Sequence, residues 1–482
     1  MTTTEPRLDR HAHIVICNWR DSRHPQAGGA ELYCERVAQQ LRRRGARVTL
    51  LTSRPRGAAR SEETSSGRTV RGGGTFTVYL YALWWLLWHR RSVDAVIDSQ
   101  NGIPFFSPLA VRRSTPVILL IHHVHQHQFM LYFRWPLNRI GQWLEKNASR
   151  RVYRERAICV VSPSSRTEVR RQLRLRGPIF VAACGQDRPV GPDRVRSERP
   201  RIVVVGRVVG HKRFDVLVRA MPTILARCRG AELHVVGDGA QLDELRQLAE
   251  ATGVADAVHF HGRVSDEARD RLLRSAWVTV GSSVGEGWGL SMVEAAAAGV
   301  PAVGLRVPGL RDSILDGHTG WLVDEVDDLG SAVVDALHRL TEPGPAAAME
   351  ERCRAWAARF TWQATADRLF AVLSGEYGRL RAGATAPARA SDATTLIELP
   401  VSGLFGADLS KLPGTDQIDF GADSVRLLML GGDEHDALVR LRLSGVGGPV
   451  TARPARPFEL LGWPHNLLDV RRPETLTPAA PA

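Results

Sequence analysis

The sequence has few cysteines and no pair of them at the Cys-x-x-Cys spacing. Six cysteines scattered through 482 residues favour reduced thiols over a disulfide framework or a structural zinc site. Long apolar runs are also missing. The longest, Phe76 to Trp88, has thirteen residues, whereas a membrane-spanning helix needs about twenty. The first residues are polar, so we expect no signal peptide and a cytoplasmic protein.

Acidic residues are scarce in the first part of the chain. Residues 1–200 hold 34 Lys and Arg against 15 Asp and Glu, whereas the remainder holds 30 against 36. This imbalance indicates an anionic partner on one side of the protein, and the candidates are an anionic membrane surface, a lipid phosphate and nucleic acid. The alternative is an arginine-rich composition whose charges are simply solvated. The charge distribution does not decide between these two interpretations. Among anionic partners we favour a membrane surface or a lipid-linked acceptor, and we expect no nucleic-acid partner.

The start of the chain predicts the first unit of a parallel sheet. An apolar run, His13 to Trp19, predicts a strand, and a helical pattern from Glu31 to Arg44 leads to a second strand, Val48 to Thr52. The loop before the helix carries Gly28 and Gly29, where backbone can approach a ligand closely. Turns need glycines too, so this pair alone is a weak indication.

The next segments predict a loop and a very apolar helix. Residues 54–74 are polar and rich in Gly, Arg and Ser, which is typical of a surface loop. The run Phe76 to His89 carries Trp84, Trp85 and Trp88. It predicts either a helix at a membrane interface or a helix buried against the sheet, and we favour the buried helix.

Histidines follow the predicted strand Pro116 to Ile121, a continuous apolar run typical of a parallel strand covered on both faces. They are His122, His123, His125 and His127. Four histidines raise the hypothesis of a metal site, but no Asp, Glu or Cys follows within ten residues. Because the carboxyl ends of parallel strands line the ligand crevice of an open α/β sheet, we favour a place beside a ligand over a metal site.

A second domain is predicted after a linker rich in Pro, Gly and charge, residues 185–200. Its first strand, Arg201 to Gly206, runs into Arg207 and then Lys212, two cations suited to contacts with a diphosphate. They can equally be solvated loop residues, but the chain has only three lysines and uses arginine elsewhere. A lysine at this position suggests that a compact point charge is needed.

The most informative stretch runs from Gly281 to Pro301. An apolar run ends in a Gly-rich loop that holds Glu286, and a helix-forming segment, Leu290 to Ala298, follows the loop. A strand, Gly-rich loop and helix in this order present backbone N–H groups at a helix N-terminus, which suits a diphosphate. Glu286 and Glu294 bracket the loop and can accept hydrogen bonds from sugar hydroxyls, as in a nucleotide sugar. The alternative is one solvated loop carboxylate and one on a helix surface.

The spacing Glu286-x7-Glu294 resembles the signature of the retaining GT-B glycosyltransferases of family 4, also described as glycosyl transferases group 1. The resemblance implies that the first glutamate orients the donor sugar as a catalytic residue and that the second binds the ribose of the nucleotide. It also implies donor contacts from the residues between and beside them, Gly287, Trp288, Gly289 and Leu290.

Two further motifs resemble the same family. The G-R-x4-K spacing that contains Arg207 and Lys212 is similar to its donor-diphosphate pair, which implies a catalytic role for both cations. The G-G-x-E motif that contains Gly28 and Gly29 is similar to its first loop, in which the glycines face the donor diphosphate.

Other positions match the family pattern or depart from it. His122 stands where the family has a histidine directly after a strand, which implies contact with the donor sugar and a catalytic role. Arg263 and Val264 stand at a turn whose backbone, in the family, reads the nucleotide base. The chain departs from the family at His123, where relatives often have Asp, and at Cys184 to Asp187, where they have an Asn-Gly turn.

The resemblance covers residues 13–380 and implies an α/β GT-B fold, in which two Rossmann-like domains face a cleft. We expect an acceptor domain at 1–190 and a donor domain at 191–382. From residue 383 the sequence is rich in Ala, Pro and Thr, and short alternating runs then predict a small β-rich appendage, 383–482, of unknown role. The predicted strands of this appendage are 396–399, 425–430, 438–443 and 458–461.

Taken with the resemblance, these features predict a hexosyltransferase that moves a sugar from a nucleotide-diphosphate donor to an acceptor with retention of configuration. The sequence has no Asp-x-Asp, the metal-binding motif of glycosyltransferases of the other main fold, so we expect no metal and no cofactor. The basic first half favours a lipid-linked or cell-envelope glycan acceptor at the inner face of the membrane. The alternatives are a GT-B sugar-nucleotide epimerase, for which we find no added acid–base pair, and a non-catalytic protein that binds sugar nucleotides.

Overall fold

The computed structural model describes residues 8–24, 27–175, 179–187, 194–381 and 383, and in the C-terminal region residues 394–404, 407, 417–420, 424–430, 441, 445–446 and 450–454. By their contacts the residues form two compact units. The first contains Met1–His24, Leu41–Val181 and Asp367–Ala482, and the second contains Pro25–Gln40 and Ala182–Ala366. The domain boundaries predicted near 190 and 382 fall outside the described residues.

An eight-stranded sheet forms the centre of the first unit. Its strands are β1 His13–Cys17, β2 Arg47–Thr52, β3 Ser61–Thr64, β4 Gly67–Arg71, β5 Ala95–Gln100, β6 Val117–Ile121, β7 Ala157–Val160 and β8 Ile179–Val181. They lie in the order β3-β4-β2-β1-β5-β6-β7-β8, and only β3 and β4 pair antiparallel. The central strands β1, β5 and β6 are buried along their whole length, as expected for parallel strands covered on both faces.

Helices connect these strands. They are α1 Gly29–Arg43, α2 Val78–His89, α3 Gln126–Tyr132, α4 Leu137–Trp143, α5 Ser149–Val152 and α6 Pro163–Glu168. A π-helical turn, Leu144–Ala148, joins α4 to α5 without a break. Helix α1 up to Gln40 falls in the second unit, where the Tyr33 hydroxyl donates a hydrogen bond to Ala182 O (2.9 Å) and the ring meets Trp362 edge-on.

The predicted surface loop at residues 54–74 is wrong in part, because its middle forms β3 and β4. The polar sequence conceals these strands for two reasons. Strand β3 lies at the edge of the sheet with half-exposed and exposed residues. In β4, Arg71 is buried in ion pairs with Asp21 and Glu62. The structure also contains β8, a short strand that pairs with β7 and forms the other edge of the sheet.

Helix α2 confirms the predicted helix, but only one of its faces packs on the core. The buried side chains are Val78, Ala82, Trp85 and Leu86. The exposed apolar side chains on and just before the helix are Phe76, Leu80, Trp84, Leu87 and Trp88. The prediction of a buried helix is therefore wrong for the outer face. Among the described residues, no helix is long and apolar enough to cross a bilayer.

A six-stranded parallel sheet forms the centre of the second unit. Its strands are β9 Arg201–Val205, β10 Glu232–Val236, β11 Val258–Gly262, β12 Val278–Gly281, β13 Ala302–Leu305 and β14 Gly320–Val323. They lie in the order β11-β10-β9-β12-β13-β14. Because β9 and β12 are parallel neighbours, the loops that follow them open at the same edge of the sheet.

Helices alternate with these strands, as predicted. They are α7 Phe214–Arg227, α8 Leu242–Ala251, α9 Asp266–Ser275, α10 Leu290–Ala297, α11 Leu310–Ser313, α12 Leu329–Arg339, α13 Pro343–Ala357 and α14 Trp362–Arg381. From Asp367 onward α14 falls in the first unit. There Arg368 donates to Val181 O (2.9 Å) and Arg379 to Glu155 O (2.8 Å).

The C-terminal appendage contains a small antiparallel sheet. Its strands are β15 Thr394–Pro400, β16 Gln417–Phe420, β17 Ser424–Leu430 and β18 Thr451–Pro454, in the order β16-β17-β15-β18. Two predicted strands are thus confirmed, at 396–399 and 425–430. The predicted run at 458–461, and that at 438–443 apart from Leu441, lie outside the described residues. Ile397 and Leu427 belong to a core of this region's own.

Candidate donor-binding site

The loops after β9 and β12 hold the two most strongly predicted side chains together. Lys212 Nζ forms an ion pair with Glu286 Oε1, and Ser283 Oγ donates to the same carboxylate oxygen at 2.6 Å. Burial alone would raise the pKa of Glu286, but the charge of Lys212 and the hydrogen bonds from Lys212 and Ser283 hold it below its usual value. The carboxylate is therefore ionised at neutral pH and is already paired with the ammonium group of Lys212.

Backbone and side-chain hydrogen bonds join these two loops over a longer stretch. Ser282 Oγ donates to Lys212 O (2.7 Å), and Val284 N donates to His211 O (3.0 Å). Burial, with the nearby charge of Lys212, lowers the pKa of His211, so its imidazole is neutral at pH 7. These hydrogen bonds join the two loops through their backbones. The position of Lys212 is therefore fixed by its backbone as well as by the ion pair of its side chain.

Gly309 supports the Glu286 loop from the other side. Glu286 N donates to Pro308 O (3.0 Å). Gly309 has φ +80°, and a Cβ atom there would lie 2.3 Å from Glu286 O. No side chain fits this position, since both the left-handed backbone and the close carbonyl require glycine.

Helix α10 begins where the Gly-rich loop ends, as predicted. Gly289 caps the helix with φ +82°, and Gly287 and Leu290 are half-buried beside it. Glu294 lies one turn into the helix and is also half-buried. Trp288 is buried and packs edge-on against Phe360, with ring centres 5.0 Å apart. Its indole therefore supports the loop from inside the core, which leaves its backbone as the part suited to a donor contact.

Arg207 lies at the surface near the first glycine loop, and both belong to the second unit. A Cβ atom on Gly28 would be 3.8 Å from Arg207 Nε, and Gly28 N donates to Glu31 Oε2 at 2.7 Å. The N–H of Gly28 is thus committed to Glu31. Nothing lies within 4 Å of a Cβ built on Gly29, so this glycine has open space beside it.

The turn predicted to read the base follows β11. Arg263 is exposed, and Val264 packs against the small core cluster that contains Leu273. Just before them, Gly237 N donates to Gly262 O (2.9 Å). Gly237 itself is explained by packing, because a Cβ there would lie 1.8 Å from Gly206 O.

His122 belongs to the first unit and lies directly after β6, as predicted. It is buried, and its Nε2 shares a hydrogen bond of 2.9 Å with Ser99 Oγ, which donates to Asn18 Oδ1 at 3.2 Å. Burial lowers the pKa of His122 to about 4. A neutral imidazole held by two neighbouring strand ends is suited to polar contacts with a sugar.

Sequence reasoning missed two buried carboxylates in this unit. Asp98, within β5, accepts hydrogen bonds from Phe105 N (2.9 Å) and Ser107 N (3.0 Å). Glu145, in the π-helical turn, accepts from His125 N (2.7 Å) and Gln126 Nε2 (2.5 Å). Burial raises the pKa of Glu145 to about 7, against the effect of these bonds. Glu145 thus holds the loop that follows His122, and Asp98 holds the loop that follows β5. For Asp98, its position within an apolar run was the one sequence signal of burial.

One group of possible metal ligands occurs among the described residues, at the start of β10 and β11: Glu232, His234 and His259. Hydrogen bonds and charges already engage this group. His234 Nε2 lies 3.2 Å from Glu232 Oε2, and Arg201 Nη2 lies 3.1 Å from the same oxygen. We assign this group a structural role. It lies at the end of the sheet where the strands begin, opposite to the end that carries the Lys212 loop.

Comparison with known proteins agrees with the geometry. Two doubly wound sheets, the second with a Gly-rich loop and a paired lysine and glutamate, define a GT-B protein. The sequence profile "Glycosyltransferase Family 4" matches residues 27–188, and the profile "Glycosyl transferases group 1" matches residues 192–356. The chain belongs to this family of glycosyltransferases.

Curated relatives and a solved structure support the same assignment. The chain is 36% identical over 194 residues to the GDP-mannose-dependent alpha-(1-6)-phosphatidylinositol monomannoside mannosyltransferase of Mycolicibacterium smegmatis, which covers 37% of this chain and 49% of the relative. It is 34% identical over 193 residues to the D-inositol 3-phosphate glycosyltransferase of Acidothermus cellulolyticus, over 38% of this chain and 43% of the relative. The chain thus spans about half the length of the curated relatives it matches.

The fold itself matches sucrose-phosphate synthase from Thermosynechococcus elongatus. The TM-score is 0.63 at 20% identity, and the match covers 77% of this chain and all of that structure. At this identity the likeness concerns the fold alone.

Proposed function

We propose that this protein transfers a hexosyl group from a nucleoside-diphosphate sugar to a glycan or lipid-linked acceptor, with retention of configuration and without a metal ion. The observation that carries the proposal is the Lys212–Glu286 ion pair at the end of β9 and β12. A half-buried carboxylate beside a fixed ammonium offers one group for sugar hydroxyls and one for a phosphate.

The chemistry follows from the charges of the second unit. Cleavage of the donor bond leaves a nucleoside diphosphate whose negative charge grows as the bond to the anomeric carbon breaks. Lys212, Arg207 and the N-terminus of α10 would stabilise that charge without reorganising. Glu286 would orient the sugar, and Glu294 would hold the ribose. These side chains do the work for which other glycosyltransferases bind a metal ion.

Residues of the first unit complete the proposal. We assign the acceptor to this unit, with His122 as a neutral contact for the reacting sugar. The excess of arginine in residues 1–200 favours an acceptor anchored in an anionic membrane, and hence a protein that works at its inner face. A relative that is GDP-mannose-dependent makes GDP-mannose the first donor to test.

Calorimetric titration with GDP, UDP and ADP, with and without EDTA, tests the donor site. We expect one nucleotide to bind in EDTA and to bind about tenfold to a hundredfold more weakly to Lys212→Ala, which lacks a charge-assisted contact. Arg229→Ala is the matched control, since this exposed cation lies in the same unit away from the loops. Binding that requires a metal ion, or no binding at all, would overturn the proposal and favour a non-catalytic protein.

Product analysis then separates transfer from epimerisation. The protein is incubated with the nucleotide sugar that corresponds to the nucleoside diphosphate found to bind. Nucleoside diphosphate should be released only when an acceptor is supplied. Conversion of the sugar nucleotide to its epimer without acceptor would instead identify an epimerase.

A further inference from the structure

Helix α2 presents an apolar stripe to solvent. Leu80, Trp84, Leu87 and Trp88 are exposed by 70%, 57%, 50% and 76%, and their spacing of four, seven and eight residues places them on one side of the helix. The opposite side is buried in the core. The stripe is therefore a contiguous exposed apolar surface, unlike the single exposed apolar side chains that are normal on protein surfaces.

A second stripe lies on the segment that contains α3 and α4. Its exposed members are Met130, Trp135, Leu137, Ile140 and Trp143. Leu137, Ile140 and Trp143 follow one another every three residues, so they share one side of α4. The other side of this segment carries Gly141 and Glu145, which are buried.

The two stripes belong to one surface of the first unit. The rings of Phe76, before α2, and Phe133, after α3, lie 6.3 Å apart. Phe76 is itself exposed, so the apolar surface continues from one helical segment to the other. We call the exposed apolar residues of both segments, from 76 to 88 and from 130 to 143, the apolar face.

The sequence segments that carry the apolar face hold charges of one sign. Residues 64–93 and 99–144 contain no Asp or Glu. Apart from Arg68 on β4, the exposed arginines of these segments are Arg90, Arg91, Arg112, Arg113, Arg134 and Arg139. Arg112 Nη2 donates to Arg91 O at 3.4 Å, which brings the arginines after α2 and those before β6 together at one end of the face.

We propose that the apolar face and its arginines dock this protein on an anionic lipid surface. Tryptophan and leucine would enter the boundary between headgroups and acyl chains, and the arginines would bind lipid phosphates. The 12 residues of α2 are about 18 Å long, so the helix lies in the interface and does not cross it. A second copy of the chain is a poorer occupant, because a twofold contact through this face would bring its arginines together.

The docking surface is connected to the loop that carries His122. Glu145 follows the exposed Trp143 by two residues and accepts the N–H of His125. One helical run thus presents tryptophan to the lipid and fixes the loop after β6. This link rests on the proposed function and points to an acceptor delivered from the membrane, whereas docking itself does not depend on transfer.

Flotation with lipid vesicles tests the proposal on the full chain. We expect it to float with vesicles of phosphatidylcholine and phosphatidylglycerol, far less with phosphatidylcholine alone, and to be released by salt. Arg90→Gln/Arg91→Gln should weaken binding about thirtyfold at low salt, because each arginine contributes about fivefold to the affinity for an anionic surface. Trp84→Ser/Trp88→Ser should abolish flotation. Arg229→Gln and Val195→Ser, exposed residues of the second unit, are the controls and should float as the parent does.

Several results would overturn docking on lipid. One is a parent protein that stays unbound with anionic vesicles. Another is flotation that both variants of the face retain. A dimer in light scattering that Trp84→Ser/Trp88→Ser converts to monomer, without flotation of the parent, would assign the face to a second copy. Nucleotide calorimetry on each variant reports that the second unit is folded, so a failed donor site and a failed docking face are distinguishable.

Discussion

Lys212 and Glu286, 74 residues apart in the chain, form an ion pair that bridges the loops after two neighbouring strands. The pair exists because β9 and β12 lie side by side, although two other strands separate them in sequence. Ser283 holds the carboxylate from its own loop. The cation and the carboxylate therefore neutralise each other, and in the proposed function a diphosphate and a sugar would compete for them.

Substitution of Glu286 by Gln should separate binding from catalysis. Without the carboxylate charge, Lys212 is left entirely to the diphosphate, so nucleotide affinity should stay within about threefold or rise. Sugar transfer should fall about a hundredfold because the donor loses its orienting group. Calorimetry and a transfer assay on the same preparation measure both. Equal losses of affinity and turnover would show that Glu286 acts only as a structural partner of Lys212.

Gly309→Ala should damage the Glu286 loop more than its backbone angle explains. The new Cβ would lie 2.3 Å from Glu286 O at φ +80°. Gly317→Ala is the matched control, since Gly317 has φ +71° with nothing within 4 Å of its Cβ. The control should cost about 1 kcal/mol in the free energy of unfolding and Gly309→Ala about 3 kcal/mol or more, with weaker nucleotide binding only in the latter. Equal costs would mean that the loop moves away freely.

Glu145 should make stability depend on pH near neutrality. Burial raises its pKa to about 7, so between the ordinary glutamate pKa and about 7 the folded state keeps a proton that the unfolded state has lost. Stability must then fall as the pH rises through this window and level off above it. Denaturant unfolding at about pH 5 and pH 8 should show a loss of up to about 3 kcal/mol in the parent protein that Glu145→Gln lacks. Parallel curves for the two proteins would contradict the raised pKa.

His122→Gln should lower transfer about a hundredfold and leave nucleotide affinity unchanged, because the donor diphosphate is assigned to the second unit. Since burial lowers the pKa of His122 to about 4, its ring is neutral through the working range and contributes no loss of activity near pH 6.5. Ser99→Ala, which removes a hydrogen bond to the ring, should cost a smaller factor. A pH–rate profile whose acidic limb near pH 6.5 vanishes in His122→Gln would refute this assignment.

The sequence was sufficient for most strands of the two large sheets and for the loop that carries Glu286. Apolar runs such as 116–121 and 201–206 became β6 and β9, and the Glu286 loop stands between a strand and a helix as predicted. These features are local, since each depends on a few neighbouring residues whose periodicity or glycines can be read directly.

Features set by distant contacts were not predictable. Strand β4 carries Arg71, whose burial depends on Asp21 fifty residues earlier. Glu145 reaches the His125 loop from twenty residues later, so no search close to the histidines could find it. Helix α2 is apolar on all sides, and a helix without a polar face gives no sign of which face is buried.

Gly309 also couples the mutations that its own loop and the Glu286 loop can accept. A mutation that gives position 309 a side chain collides with the carbonyl of Glu286, whatever that side chain is. Such a change can be inherited only with a second one that moves the other loop, and that loop also positions Lys212 through Ser282 and Val284. Directed evolution toward new donor sugars should therefore start from positions outside this contact, because most members of a library that varies residue 309 are expected to have a displaced Glu286 loop.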